Sequence, residues 1–97
     1  MKNKLIGKYR GIVTNNLDPM QIGRVKVQVP DVFRPEQTLW AMPCAPCSLP
    51  QKIGSSLPKA GAMVWIEFEQ GDADRPVWTG CFYASAAETP PALRNIK

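Results

Sequence analysis

The stretch GRVKVQVP, residues 23–30, decides the fold because its side chains alternate strictly between polar and apolar. Val25, Val27 and Val29 point to one side of an extended chain, and the polar residues between them point to the other. This alternation is typical of a half-buried β-strand. Pro30 suits the end of such a strand because proline cannot donate a ladder hydrogen bond. We therefore predict a strand over residues 23–30.

Four further segments carry strand signals, and they lie at residues 8–14, 39–45, 63–69 and 77–83. Turn-forming stretches separate them, and ten prolines with seven glycines in 97 residues disfavour long helices. Five short strands predict a small all-β closed barrel, since closure removes the exposed edges of a small sheet. We expect this barrel in residues 1–83 and an extended C-terminal tail in residues 84–97.

Composition excludes several classes of function. The chain has no histidine, which removes Ser-His-Asp and Cys-His catalysis and every His-containing metal site. No nucleophile–base pair is visible, so we predict that the protein is not an enzyme and has no cofactor. The formal net charge of +4 is only mildly basic. The basic N-terminal residues precede no apolar segment, so we expect neither a secretory signal nor a membrane-spanning segment.

The cysteines allow three interpretations. Cys44 and Cys47 form a Cys-x-x-Cys motif, and Cys81 stands alone. A redox motif needs a helix N-terminus to lower a thiol pKa, and the Ser-Leu-Pro that follows Cys47 does not begin a helix. A structural zinc site needs four ligands, which three cysteines without histidine do not supply. Free thiols are therefore favoured, while a disulfide and a zinc site stay open.

Two pairs of carboxylates raise further alternatives. Asp72 and Asp74 have the D-x-D spacing of a cation site, but a calcium ion needs six or more oxygens. Turn chemistry is favoured, with Arg75 available to pair with either aspartate. Glu67 and Glu69 fall on one face of the predicted strand over residues 63–69. A pair of glycosidase carboxylates would need a cleft, so an exposed strand face is favoured for Glu67 and Glu69. We expect no metal site at either pair of carboxylates.

The predicted strands carry more aromatic side chains than the interior-facing positions of the barrel can hold. The predicted strand over residues 77–83 is apolar on both faces, and Trp65 shares a strand face with glutamates. Only one face of each strand lines a barrel interior, and exposed aromatic clusters mark contact surfaces. We therefore predict that Trp65, Trp78 and Phe82 form an oligomer or partner contact. The alternative is that the loop over residues 46–58 covers them.

Three motifs in order resemble a known family. They are YRGIV with DPMQIGRVKVQVP (residues 9–13 and 18–30), LPKAGAMVWIEFE (residues 57–69) and GDADRPVWTGCFY (residues 71–83). Together they resemble the OB-fold domain of central spike proteins of contractile phage tails and type VI secretion, the valine–glycine-repeat spike family. The resemblance covers residues 8–83 and implies that the five-stranded closed barrel is OB-like. The glycines of these motifs suit turns that require positive φ.

The resemblance implies a structural role. It implies a homotrimeric hub or spike adaptor of a contractile injection machine that joins a tail hub or tube protein to a spike tip protein. It also implies a place in the virion, in the phage tail baseplate, after assembly in the host cytoplasm. Many relatives continue into a needle or carry a lysozyme domain. The sequence ends at Lys97, so we expect an adaptor that has neither a needle nor a lysozyme domain.

A single-stranded nucleic-acid-binding OB-fold protein is the alternative. Such proteins stack bases on aromatic side chains above a basic groove. The polar face of the strand over residues 23–30 carries Arg24, Lys26 and Gln28 without an aromatic residue, and Trp40 belongs to another predicted strand. The mild net charge is compatible with weak phosphate attraction but does not require it.

Overall fold

The computed structural model describes residues 4–47 and 57–94. Its strands are β1 (Tyr9–Asn15), β2 (Val25–Gln28), β3 (Leu39–Pro43), β4 (Met63–Phe68) and β5 (Pro76–Phe82). Short 3₁₀ helices occupy Glu69–Gly71 and Pro91–Leu93. The described residues contain no helix with the length and apolar character that crossing a membrane requires.

The five strands close into one barrel in the order β1-β2-β3-β5-β4. Neighbouring strands are antiparallel except for β3 and β5, which run parallel. The predicted all-β, five-stranded closed barrel is confirmed, and it has the size and closure of an OB-like fold. Pro76 begins β5, as expected for a residue that cannot donate a ladder hydrogen bond.

The alternating valines of β2 and its extension form the centre of the core. Val25, Val27 and Val29 are at most 1% exposed, while the residues between them remain half-buried. Other apolar side chains from the surrounding strands complete the same cluster, namely Val13, Ala41, Val64, Ile66, Phe68 and Trp78. Burial of these side chains is the main favourable contribution to folding that the barrel makes.

A β-bulge in β5 corrects one prediction. The pairing of β4 with β5 skips Thr79, and the neighbouring Gly80 has a φ of +147°. The extra residue shifts the alternation, so Trp78 and Phe82 do not share a face despite their even spacing. Trp78 points into the core, is 8% exposed and donates from Nε1 to the carbonyl of Gly23 at 3.1 Å. The prediction that Trp78 lies on an outer contact surface is therefore wrong.

The predicted placement of Glu67 and Glu69 on one face of a strand is also wrong. β4 ends at Phe68, and Glu69 begins the 3₁₀ helix instead of continuing the strand. The chain turns here because the Glu69 N–H donates to the Arg75 carbonyl at 2.9 Å, which closes the β4–β5 connection. Glu67 and Glu69 therefore do not share a strand face.

The C-terminal segment follows β5 as a mostly exposed stretch. Its described part, residues 84–94, contains no strand and carries one turn and one 3₁₀ helix. The Thr89 hydroxyl donates to the Ser85 carbonyl at 2.8 Å within that turn. The loop that was an alternative cover for the aromatic residues falls mainly on residues 48–56, which lie outside the described ranges.

Candidate interaction surfaces

Arg10, Trp65 and Phe82 form one surface on the outside of β1, β4 and β5, called the aromatic face below. The β1–β4 register places Arg10 directly opposite Trp65. The rings of Trp65 and Phe82 lie 4.5 Å apart between centroids, at an interplanar angle of 34°. The guanidinium carbon of Arg10 is 5.7 Å from the Trp65 ring centroid and 5.2 Å from that of Phe82. Both distances suit cation–π attraction.

The rim of the aromatic face is polar. Lys8 Nζ lies 3.7 Å from Glu67 Oε1, and both side chains are about half exposed (55% and 45%). An exposed ion pair of this kind adds little to stability. An aromatic centre with arginine and a charged rim is the usual composition of a protein contact. The structure thus brings together two of the three predicted contact residues, Trp65 and Phe82.

A second cluster joins Trp40 to two cations on the outside of β2 and β3. The β2–β3 register places Trp40 directly opposite Lys26, whose Nζ is 5.7 Å from the ring centroid. The guanidinium carbon of Arg24 is 5.2 Å from the same centroid. The polar face of β2 itself carries no aromatic residue, as the sequence indicates, but the neighbouring strand β3 places one beside its cations. Period-two alternation assigns the face of each strand, but it does not fix which residues stand opposite each other.

The charge around Trp40 is mixed. Carboxylates of Glu69 and Asp74 line the shallow pocket beside it, together with Arg24 and Arg75. Phosphate binding needs an excess of unpaired cations. The surroundings of Trp40 therefore differ from the basic groove of a single-strand binder.

Asp18 organises the loop between β1 and β2. It is 8% exposed, and its carboxylate accepts backbone N–H groups of Met20, Ile22 and Arg24 at 2.9–3.1 Å. Arg24 also donates from Nε at 3.1 Å and from Nη2 at 2.8 Å. These donors hold the pKa of the Asp18 carboxyl well below its usual range, with Arg24 as the largest cause and burial opposing it.

The sequence identifies only part of this arrangement. Turn chemistry at Asp18 is visible in the sequence because aspartate bonds its own backbone two residues on. The side-chain pair with Arg24 depends on the path of the loop between them. The result is a fixed loop that exposes Leu17, Met20 and Ile22 to solvent, at 79%, 62% and 44%.

The predicted turn at Asp72 is confirmed. Its Oδ1 accepts the Asp74 N–H at 2.9 Å, and its Oδ2 lies 3.7 Å from Arg75 Nε. Over residues 4–47 and 57–94, no group of three or more His, Cys, Asp or Glu side chains is placed to hold a metal ion.

The three cysteines are free and exposed. Burial of part of the Cys81 side chain raises the pKa of its thiol above the ordinary value. This agrees with the free-thiol interpretation, which the sequence favours.

The barrel and its motifs match a family of known proteins. A family model described as the type VI secretion system/phage-baseplate injector OB domain matches residues 9–83. That range contains all five strands, from the first residue of β1 to beyond the last residue of β5. A search of the curated proteins found no match. The match confirms the resemblance carried by the three motifs. The chain belongs to the family of type VI secretion system and phage-baseplate injector OB domains.

Proposed function

We propose that this protein is a structural adaptor in the baseplate of a contractile phage tail, where it links the tail hub or tube to the spike tip. The match of the whole barrel to the injector OB family carries the proposal. The barrel offers outer surfaces for contact, as a structural part of an assembly requires. Assembly in the host cytoplasm and a final place in the virion belong to the same proposal.

The adaptor acts as a homotrimer in this proposal, and the aromatic face is the contact between copies. Trp and Arg are among the residues that dominate binding energy at protein contacts. A cyclic trimer uses two different patches on each copy, so the aromatic face of one copy packs against another part of the next. Burial of Trp65 and Phe82 in this way would remove apolar surface from water in each copy.

Light scattering after size-exclusion chromatography tests the trimer. We expect a mass of about three times the 10.7 kDa chain for the unmodified protein and a monomer for Trp65→Ser. Trp40→Ser is the matched control, since Trp40 is also a half-buried tryptophan on the outside of the barrel. It should remain trimeric. A monomer for the unmodified protein at every concentration, alone and with its hub protein, would refute the trimer. Equal loss of the trimer in both variants would show that the contact between copies is not specific to the aromatic face.

Antibody labelling of intact phage tests the location. Electron microscopy should show label at the baseplate end of the tail. Label along the tail tube, or none on the virion, would contradict the proposal.

A second candidate function, binding of single-stranded nucleic acid, is favoured by one observation. Trp40 stands beside Lys26 and Arg24, which combines a stacking ring with cations. The carboxylates of Glu69 and Asp74 nearby oppose it. Fluorescence anisotropy with a labelled oligothymidine separates the two functions. The adaptor predicts no saturable binding, whereas micromolar, salt-sensitive binding that Trp40→Ala abolishes would establish the second candidate.

A further inference from the structure

The seam between β3 and β5 is the shortest contact in the barrel. It consists of two residue pairs, Met42 with Val77 and Pro43 with Trp78, followed by a bond from the Cys44 N–H to the Trp78 carbonyl at 2.9 Å. β5 continues to Phe82, and its residues 80–82 stay paired with β4 beyond the bulge at Thr79. Residues 80–82 therefore have β4 on one side and no strand among the described residues on the other.

The sequence of the departing segment explains why the pairing stops. In a parallel ladder, alternate residues of one strand donate N–H groups to the neighbouring strand. After Cys44 the next donor in register would be residue 46. That residue is proline, which has no N–H to donate. The ladder therefore ends at Cys44, and within residues 4–47 and 57–94 the backbone of β5 beyond Trp78 is left as an open strand edge.

An apolar groove lies between this edge and the departing segment. Its volume is about 560 Å³, within the range of ligand-binding clefts. Residues from four parts of the chain line it, including Ile22, Pro43, Ala45, Pro46, Leu57 and Trp78. None of the lining residues that belong to the described ranges is charged. A charged occupant would lose its hydration there without gaining an ionic partner.

We propose that this groove is a strand-addition site, which binds an extended, uncharged segment of a partner protein along residues 79–82 of β5. The open edge supplies main-chain hydrogen-bonding groups, and the apolar lining accepts alternate side chains of the added strand. The site goes beyond the adaptor role and is separate from the aromatic face, because it uses the edge of β5 and not its outer surface.

Nuclear magnetic resonance of the full chain, labelled with ¹⁵N, tests the site. The probe is the capped peptide acetyl-Val-Thr-Val-Thr-Val-amide. We expect saturable shift changes at residues 79–82 and at Ala45, and slower hydrogen exchange of amides on the open edge. The same peptide with N-methylated valines is the control, since it cannot donate from those positions. It should bind far more weakly.

Two variants locate the contact. Ala45→Asp places a charge in the groove, and Ala87→Asp places the same charge on the exposed C-terminal segment. We expect Ala45→Asp to weaken peptide binding by about tenfold or more and Ala87→Asp to leave it unchanged. Equal effects of the two variants, or equal binding of the N-methylated peptide, would overturn the site. Protection of the open-edge amides, those of residues 79–82 that do not donate to β4, before peptide is added would also overturn it, because the chain itself or a second copy would then hold the edge.

Discussion

Replacement of Trp78 by phenylalanine tests whether this tryptophan lies inside the barrel. The indole of Trp78 is 8% exposed, and its Nε1 donates to the Gly23 carbonyl at 3.1 Å. Phenylalanine keeps an apolar ring but cannot donate. Loss of a partner for a buried polar group costs about 1–3 kcal/mol, and the smaller ring adds about 1 kcal/mol for lost packing. We expect the free energy of unfolding to fall by about 2–4 kcal/mol.

Trp65→Phe is the matched control. Trp65 lies on the aromatic face, so phenylalanine there keeps most of its contact with Phe82 and weakens only the attraction of Arg10 to the ring. Cation–π attraction at an exposed site is worth about 0.5–1 kcal/mol. The same chemical change should therefore lower the free energy of unfolding by less than about 1 kcal/mol at this position.

Urea unfolding followed by far-ultraviolet circular dichroism measures both variants. A small domain has an m-value of about 1 kcal/mol/M in urea, so the Trp78→Phe midpoint should fall by about 2–4 M. Each protein should be measured at two concentrations, because assembly makes the midpoint depend on concentration. Equal losses in the two variants, or a larger loss for Trp65→Phe, would refute the inward placement of Trp78.

Three further perturbations follow from the structure. Gly11→Ala would place a Cβ 2.7 Å from Ile66 Cγ1, so we expect the free energy of unfolding to fall by about 1–3 kcal/mol. The loss should be smaller when Ile66 is also replaced by alanine. Equal losses with and without Ile66→Ala, measured by thermal unfolding, would contradict this clash. Asp18→Asn should lower stability at neutral pH. The folded pKa of Asp18 is below the unfolded value of about 3.9, so its stabilisation is complete above about pH 5 and is lost as the pH falls further. The variant should therefore show a flatter acid slope in urea titrations. An unchanged slope would exclude the pair with Arg24. Cys81 should react with iodoacetamide more slowly than free cysteine at about pH 8, because burial raises the pKa of its thiol. Mass spectrometry measures both rates, and equal rates would contradict the raised pKa.

The parts of the fold that depend on local pattern are visible in the sequence. Alternation in β2 predicts the buried faces of Val25 and Val27, and the structure confirms both. The turn glycines Gly23 and Gly71 adopt φ values of +85° and +76°, as their motifs predict. These features depend on neighbours in the chain, so period and residue type are sufficient to find them.

The parts that failed depend on register. Strict alternation places Trp78 with Phe82, but a single extra residue in β5 separates them. The pairing of Trp40 with Lys26 depends on the alignment of β2 with β3, which the length of the intervening loop does not specify. The open edge of β5 follows from Pro46, yet it becomes visible only when the β3–β5 neighbourhood is known. Nonlocal alignment therefore decides which surfaces of this barrel are available for contact.

The Arg10 guanidinium lies over the aromatic face but does not block a protein contact there. Arg10 covers the rings of Trp65 and Phe82 at 5.7 and 5.2 Å, but attraction of this kind at an exposed site is worth only about 0.5–1 kcal/mol. A buried tryptophan at the centre of a protein contact contributes about 2 kcal/mol or more. An incoming partner can therefore displace the guanidinium or pack over it with a net gain. In the free chain, the same guanidinium keeps a charged group over exposed rings, which limits indiscriminate apolar association. If Trp65 and Phe82 form the proposed contact between copies, this arrangement permits that contact while it limits general aggregation.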